Sequence, residues 1–214
     1  MLVTANPKHQ KKIKGVREHR ISREKKLEKR IAQLGSDDPR IIKILDFGTI
    51  TIGHEERRYL VLEYFEGEDI LTAVKEKGEI DFGRMFDILI EVTEALSVLH
   101  KKGILFPAFY NVLIDEDFAV KFVDVDAPKS RSLPYKDIWR LKRFLSQVAM
   151  LTQEKYATLD ERQILSNWFE DPTEKDRQAV RQLVFIINNS YRGKNPLTAR
   201  KAQEIATELK LLRG

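Results

Sequence analysis

The sequence predicts an α+β protein in which a small β-containing part precedes a larger, mainly helical one. Two observations carry that expectation. Runs rich in β-branched and aromatic residues come in two pairs, each pair split by a polar turn, and every other periodic segment has its apolar residues at helical spacing. A polar spacer, Glu66-Gly67-Glu68-Asp69, marks the boundary, giving expected domains of residues 1–66 and 67–214.

The elements follow in order. Leu27, Ile31 and Leu34 fall at i, i+4 and i+7, which predicts a helix over about 17–34, closed by Gly35. RIIKILDFGTI (40–50) and RYLVLEYF (58–65) flank Gly53-His54-Glu55-Glu56 and read as an antiparallel pair. After a short helix over 70–77, Asp81 is placed to cap a long helix over 82–102. Phe86, Leu89, Val92, Leu96 and Leu99 form its apolar face, and Lys101-Lys102-Gly103 its end. Strands over 111–114 and 119–125 surround Asp115-Glu116-Asp117 as a second hairpin. Helices are expected over 135–152, 159–169, 173–189 and 197–212, with Thr173 and Asp176 at capping-box positions.

Composition narrows the class. The 214 residues include no cysteine, which excludes disulfides and cysteine-ligated zinc. Apolar runs are short and broken by charge, so no membrane partner is expected. The opening MLVTANPKHQKK puts charge where a signal peptide needs an apolar run, so a cytoplasmic location is expected. The net charge of +5 is concentrated: residues 8–30 hold eleven Lys or Arg against three Glu. That segment is either a solvated helix face or a contact for nucleic-acid phosphates.

With this order in hand, several stretches resemble the protein-kinase superfamily. Glu28-Lys29-Arg30-Ile31 followed by Asp38-Pro39-Arg40-Ile41-Ile42-Lys43-Ile44-Leu45 is similar to the upper-lobe regulatory helix running into the "hPNIVkll" strand. Tyr59-Leu60-Val61-Leu62-Glu63-Tyr64-Phe65-Glu66-Gly67 resembles the hinge strand, with Glu63 at the nucleotide-side position. Glu94 to Ile104 is similar to the end of the helix before the catalytic loop. Asn111-Val112-Leu113-Ile114 resembles the "NILI" that follows that loop, and Val120-Lys121-Phe122-Val123-Asp124 the "vKliD" leading into DFG. Asp137-Ile138-Trp139 and Asn195-Pro196-Leu197-Thr198 resemble two further helix starts of the family. The resemblance implies a two-lobe kinase-like fold with a reduced N-lobe and a mainly helical C-lobe. Asp46-Phe47-Gly48 also spells DFG but precedes the hinge-like stretch, and it reads as a strand ending in a turn.

Phosphoryl transfer in this family rests on positioning and charge, supplied by a loop over the phosphates, a Lys on them, metal ligands and a proton-accepting carboxylate. The stretch ahead of the first helix offers Gly15 alone for a Gly-rich loop, and its one apolar run, Leu2-Val3-Thr4-Ala5, contains no Lys, which leaves Glu28 without a clear partner. Against the family pattern, Gly103 to Asn111 is two residues short and reads Ile-Leu-Phe-Pro-Ala-Phe-Tyr in between. Tyr110, the one ionisable group there, titrates near 10 and is a poor base at neutral pH. The resemblance leaves Asn111 and Asp124 as magnesium ligands, with Asp126 close by as a second carboxylate. Alternatively, Asn111 hydrogen-bonds backbone at a strand start, and Asp124 and Asp126 cap the following turn. Only residues 127–136 separate Asp126 from Asp137, which leaves no room for a peptide-substrate platform, and Asp137 itself can serve as an N-cap.

The leading expectation is therefore a pseudokinase with no catalytic residue, acting as a scaffold or regulator through a protein partner. Phe106, Phe109 and Tyr110, with Pro107, would form the packed or partner-binding loop. No cofactor is expected. The alternatives are a small atypical phosphotransferase holding ATP and magnesium at Asn111, Asp124 and Glu63, or a nucleic-acid-binding module using residues 8–30. The short segment after Asp126 and the string Asp137 to Arg143 give a weaker resemblance to the compact kinase of the KEOPS tRNA-modification complex.

Overall fold

In the computed structural model, which describes residues 32, 37–76, 80–104, 111–123, 134–152, 159–191 and 201–213, the chain runs β1 (Ile44–Ile52), β2 (Glu55–Leu62), β3 (Glu68–Asp69), α1 (Ile70–Glu76), α2 (Phe82–Lys101), β4 (Val112–Ile114), β5 (Val120–Phe122), α3 (Pro134–Ala149), α4 (Glu161–Trp168), α5 (Glu174–Ser190) and α6 (Ala202–Arg213). The expected α+β class holds: two small antiparallel sheets and a mostly helical remainder. The helix expected over 17–34 and the basic segment 8–30 lie outside the described residues, apart from Ala32. Two compact units divide the chain, one containing Lys43–Glu63, the other Asp38–Ile42 and Tyr64–Gly214.

The first unit contains the β1–β2 hairpin, in register from Ile44↔Leu62 to Ile52↔Glu55. Gly53 takes φ 63 in the turn, where a side chain would be strained. Glu63 closes the open end: its amide donates to the Lys43 carbonyl at 2.9 Å, and its Oε1 accepts from the Lys43 amide at 3.0 Å. Asp46-Phe47-Gly48 is strand, as expected, but it sits within β1 rather than at its end. The Tyr59 ring lies against Gly48, so that a Cβ there would come within 3.0 Å of it, and the Tyr59 hydroxyl donates to Asp46 Oδ2 at 3.0 Å.

The expected first strand began at Arg40, four residues too early. Ile41 and Ile42 are buried instead in the second unit, where the Ile42 amide donates to the Phe122 carbonyl at 2.9 Å and the Phe122 amide to the Arg40 carbonyl at 2.7 Å. Burial of two isoleucines beside β5 outweighs continuing an exposed ribbon.

In the second unit α2 is the core. Eleven of its twenty residues are buried, including all five of the expected apolar face. Asp81 caps it by accepting from the Arg84 amide. At the other end Gly103 (φ 69) reverses the chain, with Gly103 N–H to His100 O and Ile104 N–H to Leu99 O, and Ile104 itself is buried. Two buried hydroxyls are satisfied, Thr93 by the Leu89 carbonyl at 2.7 Å and Ser97 by Gln203 Oε1 at 3.0 Å. Helix α6 packs along α2 in opposite direction. Arg213 meets Asp87 at 3.0 Å, Lys210 meets Glu94, and Gln203 accepts from both Ser97 and Lys101, while Ile205, Ala206 and Leu209 are buried between.

The spacer residues Glu68-Asp69, expected to be irregular, pair with Ile114 and Leu113 as a third strand. Gly67 permits that approach, since a Cβ there would lie 2.7 Å from the Ile114 carbonyl oxygen. The C-terminal carbonyls of α3 are capped from α4, by Trp168 Nε1 on Ala149 O at 2.7 Å and Asn167 Nδ2 on Met150 O at 2.8 Å. Helix α5 opens with the expected Thr173–Asp176 capping box.

The β4–β5 turn contains a strained residue. Asp115 Oδ1 accepts from the amides of Asp117 and Ala119, and Phe118 is forced to φ 65, a region costly for a bulky side chain. The Arg84 guanidinium lies 4.9 Å from the Phe118 ring centroid. Phe118→Asn should raise the urea midpoint, since Asn tolerates this conformation, whereas Phe118→Val should lower it. A fall in both variants would mean that the Arg84 contact outweighs the backbone strain.

Candidate functional site

The β4–β5 hairpin fixes where ligand-type side chains can gather in the second unit. Its register, Val112↔Phe122 to Ile114↔Val120, is extended by the Val123 amide donating to the Asn111 carbonyl at 2.9 Å. Asn111 therefore sits at the open end of the hairpin, across from Val123, and the covalent chain puts Asp124 one residue further on. Val112, Ile114, Val120 and Phe122 are buried beneath and hold this end in place. Carboxamide and carboxylate oxygens of this kind suit a hard cation such as magnesium. The main-chain carbonyl of Asn111 serves this backbone pairing. Asp124, Asp126, Phe106, Phe109 and Tyr110 lie outside the described residues. Glu63 belongs to the other unit, where its carboxylate accepts from the Lys43 amide.

Asp137 corrects the sequence reading. It was expected as an N-cap, but α3 begins at Pro134, and Asp137 is fully buried within the first turn. His100 Nε2 lies 3.3 Å from its Oδ2 and Arg140 Nη1 3.6 Å from its Oδ1. The carboxylate so joins the end of α2 to the start of α3. A cap would leave the carboxylate in solvent, and burial is tolerated here because two nitrogens face it.

A second anchor escaped the sequence reading altogether. Arg40 donates through Nε and Nη2 to the two oxygens of Asp38 at 3.0 and 2.8 Å, and through Nη1 to Glu94 Oε2 at 2.8 Å. Lys210 holds the other oxygen of Glu94, and Lys121 Nζ donates to the Pro39 carbonyl at 2.7 Å. Segment 38–42, α2, α6 and β5 are thereby tied together, and β5 carries the hairpin. Burial alone would push the Asp38 carboxyl up, but hydrogen bonds from the Arg40 side chain and amide hold it below the ordinary range. For Glu94, too, burial acts upward, and the Lys210 and Arg40 hydrogen bonds prevail. The Arg40 guanidinium is raised, first by the Asp38 bond. Glu91 goes the other way, raised by burial that the Val120 amide at 3.4 Å offsets only in part. The Asp38-Pro39-Arg40 triplet was the only available signal, and its partner lies 54 residues away.

The protein kinase domain family matches residues 4–143, and the chain belongs to that family. It is 34% identical over 112 residues to a probable serine/threonine-protein kinase of Clostridium perfringens, covering 51% of this chain and 16% of that protein. A probable serine/threonine-protein kinase of Clostridium acetobutylicum is 30% identical over 74 residues, covering 34% of this chain and 11% of that one. Human protein kinase C delta type is 27% identical over 100 residues, covering 46% and 14%. The matched part of the chain thus spans about a sixth or less of the length of these relatives. No described helix is long and apolar enough to cross a membrane.

Two outcomes are expected. Asp38 and Glu94 bind fewer protons folded than unfolded, so their contribution to stability is complete above the unfolded carboxylate range near pH 4 and is lost as pH falls through their lower folded values. Glu91 has the opposite sign, its contribution being lost as pH rises through its raised value. Arg40→Gln should cost about 2 kcal/mol at neutral pH and flatten the acid limb below about pH 4, read by urea unfolding at stepped pH. Asp137→Ala should cost about 3 kcal/mol, because it leaves buried nitrogens of His100 and Arg140 facing no carboxylate.

Proposed function

We propose that this protein kinase family member is a pseudokinase, a cytoplasmic binding protein that acts by holding a protein partner rather than by transferring phosphate. The observation that carries this reading is internal to the chain. The seven residues from Ile104 to Tyr110, between the end of α2 and Asn111, contain no carboxylate, imidazole or amine. In that position a kinase needs a group to accept the hydroxyl proton, and a phenol does this poorly at neutral pH. Phe106, Phe109 and Tyr110 then serve as apolar anchors for the partner, the residue types that dominate the buried centres of protein interfaces.

A second reading, an atypical phosphotransferase, draws support from the family membership and from relatives named as kinases. It uses Asn111, Asp124 and Asp126 for magnesium and the Glu63 region for the nucleotide. When bound, the metal would screen phosphate charge. Asn111, at the hairpin end, would supply a neutral oxygen, and the two aspartates anionic ones. A third reading, phosphate-backbone binding through residues 8–30, rests on the charge concentration alone and predicts affinity that falls steeply with salt.

Incubation of the purified chain with ATP and magnesium, alone or with a general protein substrate, should give no phosphate transfer. Transfer that Asp124→Ala abolishes would overturn the pseudokinase reading in favour of the second. Nucleotide retention is a separate question, settled by unfolding with saturating ATP and magnesium. A retained site would add about 2.7 kcal/mol at a hundredfold excess over the dissociation constant, and Asn111→Ala should remove that gain.

A further inference from the structure

Strand β1 carries no charge from Phe47 to Ile52, whereas β2 opens Glu55-Glu56-Arg57-Arg58. Among the described residues the sheet of this unit has two strands, so the outer rim of β1 presents amides and carbonyls that no third strand of that sheet engages. Ile50 and Ile52 are 51% and 55% exposed. Soluble proteins normally blunt such edges with charge, proline or a bulge. Here the one register shift lies between Ile44 and Asp46, and the Phe47 amide donates to Asp46 Oδ1 at 2.8 Å, which leaves residues 48–52 regular and unguarded.

We propose that this rim is a homodimer interface in which β1 pairs antiparallel with β1 of a second copy about a two-fold axis at Ile50. An antiparallel edge is complementary to its own two-fold image, so one surface supplies both halves of the contact. In the register centred on Ile50, Thr49 faces Thr51 of the copy, Thr51 faces Thr49, and Ile50 faces its counterpart. Thr–Thr and β-branched pairs are favourable cross-strand partners. Gly48 opposes Ile52, and no two charges of the paired strands face each other between Phe47 and Gly53. Each chain carries +5, so approach of two copies favours a contact that brings no charge, and this edge is one. The product is a four-stranded sheet ordered β2-β1-β1-β2, wider than the two-stranded ribbon that is marginal alone.

The chain contains no cysteine, which makes the test direct. Sedimentation of the full chain over micromolar concentrations should give a monomer–dimer equilibrium. Ile50→Lys, which sets two ammonium groups opposite each other, should shift it to monomer with an unchanged circular dichroism spectrum. Under mild oxidation Ile50→Cys should cross-link to a dimer much faster than Gln178→Cys, placed on the exposed face of α5. If Ile50→Lys unfolds the chain, the cysteine pair decides alone. Monomer at every concentration, a dimer that survives a folded Ile50→Lys variant, or equal cross-linking at 50 and 178 overturns the proposal.

Discussion

Burial of α2 is the constraint on which the second unit depends. A helix with eleven buried residues in twenty cannot be left half-covered, because each large aliphatic side chain removed from water contributes about 1.5–3 kcal/mol. Its faces are accordingly met by α6, α3 and β5. The polar groups this burial would otherwise strand, Thr93 and Ser97, have partners within the unit. Its end carries the rest of the architecture forward. The Gly103 reversal buries Ile104, while His100 reaches Asp137 and brings α3 into place.

Electrostatics then refine what apolar burial has brought together. The guanidinium of Arg40 is one cation shared by two carboxylates from distant parts of the chain, and its planar fork matches the Asp38 carboxylate in a bidentate pair. It pins a five-residue segment to α2 and β5 even though the residues that follow belong to the other unit. The hairpin end bearing Asn111 is thus held from two sides, by hydrogen bonds of segment 38–42 to Phe122 and by the buried faces of β4 and β5.

How far this was legible in the sequence depended on how local the signal was. Helix α2 with its Asp81 cap, its apolar face and its glycine reversal was readable because all three lie within one continuous stretch. The Thr173–Asp176 capping box and both hairpins were readable for the same reason. What escaped depended on remote partners. Glu68-Asp69 became strand because β4 offered a free edge beside Gly67, and Ile41-Ile42 left the first hairpin because β5 could bury them. Asp137 looked like a cap because nothing near it in sequence reveals His100, 37 residues earlier. Asn111, expected to open a strand, stands one residue before β4 and pairs through its carbonyl with Val123. Arg40 and Glu94, which brace it, lie 54 residues apart, and only the Asp38-Pro39-Arg40 triplet gave a local sign of them.

The pairing of α6 with α2 also bears on how the molecule is made. Asp87 and Arg213 are 126 residues apart, and the seam they close covers the most apolar helix of the unit. Contacts so distant in sequence are formed late, since the intervening chain must be brought together first. During synthesis, one side of α2 therefore stays bare until α6 emerges from the ribosome, and the nascent chain carries that apolar surface uncovered through the whole interval between the two helices.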